Sequence, residues 1–113
     1  MRVSPVKHRA HLSAEERKLR SRLIQLVRSE GLVRGNLVTM RNTCGKPNCK
    51  CQRGQKHESL YLAQSRKGKH HMQYVPRGWH LRIRAWVGRY QEIQRLVESL
   101  SERYWQKLEN KEE

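Results

Sequence analysis

The sequence predicts an α+β protein with an N-terminal helix, a three-stranded antiparallel sheet that carries a cysteine-rich insertion, and a long amphipathic C-terminal helix. Three observations favour this class: helical periodicity near both ends of the chain, short β-rich segments between them, and three cysteines clustered in the β-rich region. The 113 residues have the size of one small domain, and only 35% of them are apolar. We therefore expect a thin core that needs additional stabilisation from a metal, a ligand or a partner chain.

The N-terminal region is predicted to contain a flexible basic arm over residues 1–12 and a helix over residues 13–29. The arm has a proline, several cations and no periodicity. Ser13 and Glu16 match the capping box, in which the serine hydroxyl and the glutamate carboxylate satisfy free amides at a helix start. Gly31 is a suitable C-terminal stop. The apolar residues of this helix form one stripe, which comprises Leu19, Leu23, Leu26 and Val27.

The sheet is predicted over residues 35–75. Residues 35–40 are short, β-rich and bounded by turn formers, which is typical of a strand. Residues 60–65 and 70–75 flank the four-residue loop 66–69, and this pattern indicates a β-hairpin.

Pairing across the predicted hairpin divides its side chains between two faces. Tyr61 lies opposite Tyr74 and Ala63 lies opposite Met72 on one face. The other face contains Leu60, Leu62 and Val75. Both faces of the hairpin therefore have apolar character.

The C-terminal helix is predicted over residues 76–110, with Pro76 in its first turn. Apolar residues recur along it at alternating spacings of three and four, as in a coiled-coil seam. The seam consists of Ile83, Trp86, Tyr90, Ile93, Val97, Leu100 and Tyr104. The N-terminal helix is long enough to cover only part of this seam, so we expect the sheet or a second copy of the chain to cover the rest. Trp79 is also assigned to the core, with Trp86, Tyr90 and Tyr104.

The cysteine segment has the pattern C-x4-C-x-C-x5-H and supplies four nitrogen or sulfur donors. These predicted metal ligands are Cys44, Cys49, Cys51 and His57. Thiolates and an imidazole are the ligands that Zn²⁺ prefers, and four of them close a tetrahedral structural site. We therefore predict a zinc knuckle over residues 44–57, inserted in the sheet, that stabilises residues 13–113 as a single domain.

Two other interpretations of the cysteines are weaker. Three free thiols on a polar loop would oxidise readily, and an iron–sulfur cluster would normally need a fourth thiolate. The identity of the fourth zinc ligand is open, because the chain also contains His70, His71 and His80.

The positive charge is concentrated in the middle of the chain. Residues 34–91 contain 13 Lys and Arg against one Glu, whereas the whole chain has a net charge of +15. Such clustering indicates a polyanionic partner, because solvated faces normally mix both signs. The expected phosphate contacts are Lys46, Lys50, Arg53, Lys56, Arg66, Lys67, Lys69, Arg77, Arg82 and Arg84. Tyr61 and Tyr74 either stack on unpaired bases or pack against the long helix.

Several functional classes are disfavoured by composition. All ten acidic residues are Glu, so the carboxylate clusters of magnesium-dependent nucleases are not expected, and we predict that the protein is not an enzyme. His70 and His71 lack an organising carboxylate nearby for acid–base chemistry. No segment approaches the length of a transmembrane helix, and no signal peptide is apparent. We expect a cytoplasmic protein associated with nucleoprotein, with no membrane partner.

The cysteine motif, Gly35-x-Leu37-Val38, the tyrosine-containing hairpin, Tyr74-Val75-Pro76 and the long C-terminal helix together resemble a group of small basic proteins of unknown function. These proteins carry a C-G-K-P-N-C-x-C signature and occur in prokaryotic and mobile-element contexts. The resemblance spans roughly residues 33–108. It implies a shared zinc-pinned fold, and the transposase genes that sometimes neighbour this group favour a nucleic-acid role.

The sequence thus predicts non-enzymatic binding of DNA or RNA by a basic zinc-pinned loop and a hairpin, as an accessory factor of a larger nucleoprotein or mobile-element system. The alternative is a protein-interaction module that dimerises or docks through the long C-terminal helix.

Overall fold

A computed structural model describes residues 12–42 and 57–112 of the chain. The predicted arm, up to residue 11, and the cysteine-segment residues 43–56 lie outside the described residues, so the predictions that concern Cys44, Cys49 and Cys51 stay predictions.

The described chain contains helices and an antiparallel sheet, and the predicted α+β class is confirmed. The elements in chain order are α1 (Ala14–Arg28), β1 (Asn36–Asn42), β2 (His57–Arg66), β3 (Lys69–Val75), a 3-10 turn (Arg77–Trp79) and α2 (His80–Asn110). The three strands pair in the order β1-β2-β3.

The chain divides into two compact units. Unit 1 comprises residues 1–30 and 91–113, and unit 2 comprises residues 31–90. The last turns of α2 belong to unit 1, and its first turns, with the whole sheet, belong to unit 2.

Half of the predicted capping box is present at the start of α1. The Ser13 hydroxyl accepts a hydrogen bond from the Glu16 backbone amide at 3.1 Å, as expected for an N-cap. The Glu16 carboxylate has a different role from the one predicted, because its Oε2 accepts hydrogen bonds from Arg20 Nε and from the Tyr104 hydroxyl, each at 2.8 Å. A side chain predicted to cap the helix therefore lies at the centre of unit 1.

The Glu16 side chain is buried within unit 1, with 2% of the residue exposed. Burial acts to raise the pKa of this carboxyl, but the hydrogen bonds from Tyr104 and Arg20 and the attraction to nearby cations outweigh it, and the pKa lies below its ordinary value of 4.5. Arg20 also donates to the Tyr104 hydroxyl at 2.9 Å, which closes a three-residue network. Leu26 is the buried apolar residue of α1.

The predicted hairpin register is confirmed, with Tyr61 opposite Tyr74 and Ala63 opposite Met72. The predicted four-residue loop is wrong, because Arg66 and Lys69 pair with each other and leave a two-residue turn. Lys67 and Gly68 have φ values of 50° and 77°, so both adopt the left-handed conformation of a type I′ turn. This turn matches the twist of the flanking strands, which extends β2 and β3 beyond their predicted ends.

The apolar core of unit 2 lies between α2 and one face of the sheet. Its buried members are Leu60, Val75, Ile83 and Val87. Trp86 packs against this cluster and is partly buried. Val87 was not in the predicted seam, although its spacing of four from Ile83 places both side chains on one face of α2.

Gly31 connects α1 to unit 2 in a conformation that suits glycine, with a φ of 67°. A Cβ at this position would lie 2.2 Å from the indole nitrogen of Trp86. The helix itself ends at Arg28 with an extended Ser29 as its C-cap, so the predicted stop at Gly31 is wrong. Glycine is needed at position 31 because the backbone approaches an aromatic ring closely there.

The C-terminal helix begins later than predicted. Pro76 is extended, with φ −60° and ψ 153°, and it precedes the 3-10 turn, so α2 starts at His80 rather than at residue 76. Trp79 is 42% exposed, which makes its predicted place in the core wrong. The predicted end of the helix at residue 110 is confirmed.

The predicted seam of α2 is divided between the two units. Ile83 is buried and Trp86 and Tyr90 are half-buried in unit 2, whereas Ile93, Leu100 and Tyr104 are half-buried in unit 1. Val97 is 48% exposed, so this seam position is not covered. None of the helices in the described residues is long and apolar enough to cross a membrane.

Candidate functional site

The positive charge of the chain is concentrated in unit 2. This unit contains 13 Lys and Arg against one Glu, a net charge of +12, whereas unit 1 contains 12 Lys and Arg against nine Glu, a net charge of +3. The single carboxylate side chain of unit 2, Glu58, forms an ion pair with Arg41 at 2.9 Å. The other cations of unit 2 therefore have no further carboxylate side chain within their own unit.

The predicted phosphate contacts that the structure describes form two groups in unit 2, one around the hairpin turn and one from Arg77 into the first turns of α2. Arg66, Lys67 and Lys69 surround the hairpin turn, and we call them the tip group. Arg34 lies at the same end, because its guanidinium donates to the Ser65 carbonyl at 2.9 Å. Each residue of the tip group is exposed.

The second group lies at the end of the sheet where the cysteine segment leaves and returns. Asn42 and His57 are paired across β1 and β2, and Val75 pairs with Leu60 near this end. Arg77 follows two residues later. The ten residues of β2 rise by about 3.3 Å each, so the tip group lies roughly 30 Å from His57. Lys46, Lys50, Arg53 and Lys56 lie outside the described residues.

Arg77, Arg82 and Arg84 surround the start of α2, and all three are exposed. The Arg82 guanidinium lies 4.4 Å from the centre of the Trp79 ring, in cation–π geometry. Trp79 in turn meets Trp86 edge to face, with ring centroids 6.0 Å apart. The Arg82 guanidinium therefore packs on a pair of tryptophan rings that contact each other.

The sheet face opposite the core, which we call the open face, has an unusual composition. Alternation along the paired strands places on it Asn36, Val38, Met40, His57, Ser59, Tyr61, Ala63, Ser65, His70, Met72 and Tyr74. None of these residues is Lys, Arg or Glu. The charged residues of the strands, Arg41, Glu58, Arg66 and Lys69, all alternate onto the side that faces α2.

Tyr61 and Tyr74 lie on the open face and not against the long helix. Their rings are 5.8 Å apart with an interplanar angle of 70°, an edge-to-face arrangement. Tyr74 is 50% exposed. Of the two interpretations of the tyrosines, packing against α2 is wrong, because the core of unit 2 lies on the other face of the sheet.

The histidines are distributed unequally with respect to the cysteine segment. His57 begins β2, directly at the end of the segment. His70 and His71 pair with Ser65 and Gln64 near the hairpin turn, more than 20 Å away by the rise of about 3.3 Å per residue of β2. The His80 Nε2 atom lies 3.0 Å from the Val75 carbonyl oxygen. Within residues 12–42 and 57–112, no cluster of three or more His, Cys, Asp and Glu has the geometry to hold a metal ion.

In a comparison with known protein families, one family model matches residues 12–85 of the chain. This model is described as a domain of unknown function, DUF6788, and it covers α1, the sheet and the start of α2. No curated protein and no solved structure matches the chain. The match begins at α1, which makes the N-terminal helix part of the family domain. Because the model matches well over half of its residues, the chain belongs to the DUF6788 family.

Proposed function

We propose that the protein is a non-enzymatic nucleic-acid-binding protein that serves as an accessory factor of a larger nucleoprotein or mobile-element system. The observation that carries this proposal is the charge segregation between the units, with a net charge of +12 in the 60 residues of unit 2 and one carboxylate there, which Arg41 already engages. A polyanion with regularly spaced charges is the partner that such a surface fits.

Phosphate contacts account for this arrangement in physical terms. Each cation that neutralises a phosphate releases condensed counterions, and this release drives binding at low salt. The tip group and Arg77, Arg82 and Arg84 are the described residues that make these contacts in our proposal. Lys46, Lys50, Arg53 and Lys56 add to them from the cysteine segment.

A salt titration tests the proposal. We expect affinity for an oligonucleotide to fall steeply with salt, with a slope of log affinity against log salt of about −0.7 to −0.9 for each phosphate neutralised. The triple variant Arg66→Gln, Lys67→Gln, Lys69→Gln should reduce the magnitude of this slope by about 2. An affinity that is the same at low and high salt would contradict the proposal.

A matched variant in unit 1 controls for net charge. Arg17, Lys18 and Arg28 are exposed cations of α1, and their replacement by Gln removes the same charge as the tip variant. We expect the unit 1 variant to retain nearly the wild-type affinity and slope. Equal losses in both variants would show that overall charge, and not the tip group, determines binding.

We also propose that Cys44, Cys49, Cys51 and His57 bind a structural Zn²⁺. The donor set suits this metal, and the pairing of Asn42 with His57 supports it, because Cys44 is two residues beyond Asn42. His57 lies at the end of the sheet where the cysteine segment begins and ends, whereas His70 and His71 lie near the hairpin turn. Bound Zn²⁺ would supply folding free energy and would leave no open coordination position.

Elemental analysis of the purified protein tests the zinc proposal. Wild type should contain one zinc per chain, and Cys49→Ser should lose most of it. His71→Asn serves as the matched control and should retain wild-type zinc. Equal zinc in wild type and Cys49→Ser would contradict this ligand set.

A second function, self-assembly, is favoured by an exposed apolar stripe on the part of α2 that belongs to unit 1. Val97, Trp105 and Leu108 are 48%, 62% and 70% exposed. At 3.6 residues per turn these positions fall within about 80° of one another around the helix axis. We propose a second copy of the chain as the partner of this stripe.

Light scattering on the full chain tests this second proposal. Wild type should have the mass of a dimer, and the variant Val97→Gln, Trp105→Gln, Leu108→Gln should have the mass of a monomer. The variant Leu81→Gln, which removes an 85% exposed leucine of α2 in unit 2, should remain dimeric. A wild type that is monomeric at all concentrations would contradict the proposal.

A further inference from the structure

The open face lacks the charged residues expected on the solvent side of a sheet that is covered on one side. Such sheets normally place apolar residues toward the core and charged residues toward water. Here the charged residues of the strands, all exposed, lie near the strand ends on the side that carries Leu60 and Val75, and the open face has none. Exposed apolar side chains without interspersed charge mark an interaction surface, above all in a chain of which 31% is charged.

The exposed apolar residues of the open face come from all three strands. Val38 and Met40 on β1 are each 37% exposed, and on β3 Met72 is 43% and Tyr74 is 50% exposed. Tyr61 lies between them on β2, directly opposite Val38 and Tyr74. Ala63 is 5% exposed, so the larger side chains stand around a small residue.

The geometry of the tyrosine pair suits flat, unsaturated ligands. With an interplanar angle of 70°, the two rings meet edge to face and do not cover each other. A ring face therefore stays accessible on the more exposed residue, Tyr74. Unpaired nucleobases stack on such faces with little dependence on sequence, since every base has a π-face.

The surrounding charge identifies the kind of ligand that carries these bases. Lys67 in the hairpin turn and Arg34 lie at one end of the sheet, where Arg66 and Lys69 alternate onto the side opposite the open face. Arg77 follows β3 at the other end. The roughly 30 Å between the two ends contains no charged side chain on the open face. Backbone phosphates at the ends and bases in the middle would match this sequence of charged, uncharged and charged surface.

We propose that the open face binds the unpaired bases of a single-stranded nucleic acid, with Tyr61 and Tyr74 as its stacking residues. This inference rests on the proposed function and specifies its substrate class. A duplex keeps its bases paired and stacked on one another, so it can use the cations of unit 2 but not the tyrosines. The structure thus assigns strand selectivity to the open face and general affinity to the cations.

The test compares the affinity of the protein for a single-stranded oligonucleotide of about twelve nucleotides with its affinity for a duplex of the same length. This length lies within the roughly 4–16 nucleotides that single-strand-binding surfaces of this kind cover. The double variant Tyr61→Ala, Tyr74→Ala should weaken single-strand binding by roughly 10- to 100-fold. Its duplex affinity and its salt slope should match those of wild type. The tip variant should bind both ligands more weakly than wild type does.

The double variant Tyr61→Phe, Tyr74→Phe is the matched control, because it retains the rings and removes only the hydroxyls. It should bind single strands within about twofold of wild type, since stacking needs the ring and not the hydroxyl. Tyr74→Ala alone changes a half-exposed residue and should show a partial loss, which keeps the test valid if the double alanine variant does not fold.

Three outcomes would overturn the inference. Wild-type single-strand affinity in Tyr74→Ala and in the folded double alanine variant would show that the tyrosines do not stack on bases. Equal losses on single strand and duplex would remove the selectivity. Binding of neither ligand by wild type would overturn the proposed function itself and would leave the open face as a surface for an apolar protein partner.

Discussion

The two units of this protein use similar numbers of cations in different ways. Unit 1 has 12 Lys and Arg, and it engages several of them internally: Arg20 with Glu16, Arg22 with Glu92 and Arg103 with Glu15. Unit 2 has 13 Lys and Arg and one carboxylate side chain, Glu58, which forms an ion pair with Arg41. A similar number of cations therefore serves internal structure in one unit and, in our proposal, an external partner in the other.

The buried residues of the two units also differ in charge. Unit 1 surrounds a buried carboxylate whose hydrogen bonds come from an arginine and a tyrosine. Unit 2 surrounds the apolar cluster of Leu60, Val75, Ile83 and Val87. The difference teaches that the unit rich in carboxylates also buries one of them, whereas the unit with a single carboxylate has an apolar core. Three predictions probe this difference, beginning with the largest effect.

The substitution Leu60→Ala should destabilise unit 2 most. Leu60 is 5% exposed and lies in the apolar cluster, and Leu→Ala substitutions at such sites cost about 2–5 kcal/mol because a cavity remains. Hydrogen exchange measured by mass spectrometry should show lost protection in β2 and β3. The control Leu81→Ala removes an 85% exposed side chain and should change protection by little. Full protection of the strands in Leu60→Ala would contradict the assigned core.

The substitution Glu16→Gln should affect unit 1 through its pH dependence. The folded-state pKa of Glu16 lies below the ordinary 4.5, so the carboxylate stabilises the fold above pH 4.5, and this contribution is lost as pH falls through the folded-state pKa. We expect a loss of about 1.5–3 kcal/mol at neutral pH, the contribution of hydrogen bonds to charged groups.

Thermal unfolding between neutral pH and acid measures this effect. Wild type should lose stability more steeply than Glu16→Gln as pH falls below 4.5, so that the two curves converge. Tyr104→Phe, which removes one of the hydrogen bonds to Glu16, should fall between them at neutral pH. Parallel curves for wild type and Glu16→Gln would show that the carboxylate is not stabilised by the fold.

The smallest effect is a difference in how the units respond to salt in the absence of nucleic acid. Unit 2 carries a net charge of +12, so screening should relieve its self-repulsion and increase its hydrogen-exchange protection. Unit 1 has exposed ion pairs such as Arg22 with Glu92, and screening should weaken them. If added salt changed hydrogen-exchange protection in the same direction in both units, this expected difference between the units would be wrong.

The fold was predictable where a periodic pattern and a local signal agree. The capping serine, the Tyr61–Tyr74 register and the end of α2 follow from such agreement. The hairpin turn was not predictable in length, because Arg66 and Lys69 are as polar as turn residues and only the backbone shows that they pair. Pro76 fits a first helical turn equally well in sequence, and the 3-10 turn delays α2 by a few residues.

The candidate site was predictable in its residue types but not in its layout. The hairpin has apolar side chains on both faces, so alternation alone does not show which face α2 covers. Once Leu60 and Val75 are known to face α2, the tyrosines must lie on the open face. The separation of the cations into two groups depends on the full ten-residue length of β2, which the shorter predicted strand did not provide.

The width of the sheet sets how many ligands it can hold. The order β1-β2-β3 places two strand spacings of about 4.8 Å each between the outer strands, so the open face is roughly 10 Å across. Pro76 directly follows β3 and cannot donate a backbone hydrogen bond, and Lys69 begins that edge, so both disfavour the addition of a fourth strand. In our proposal, a face this narrow accepts one nucleic-acid strand lengthwise. The expected stoichiometry is therefore one strand per chain, and longer strands would recruit more copies side by side.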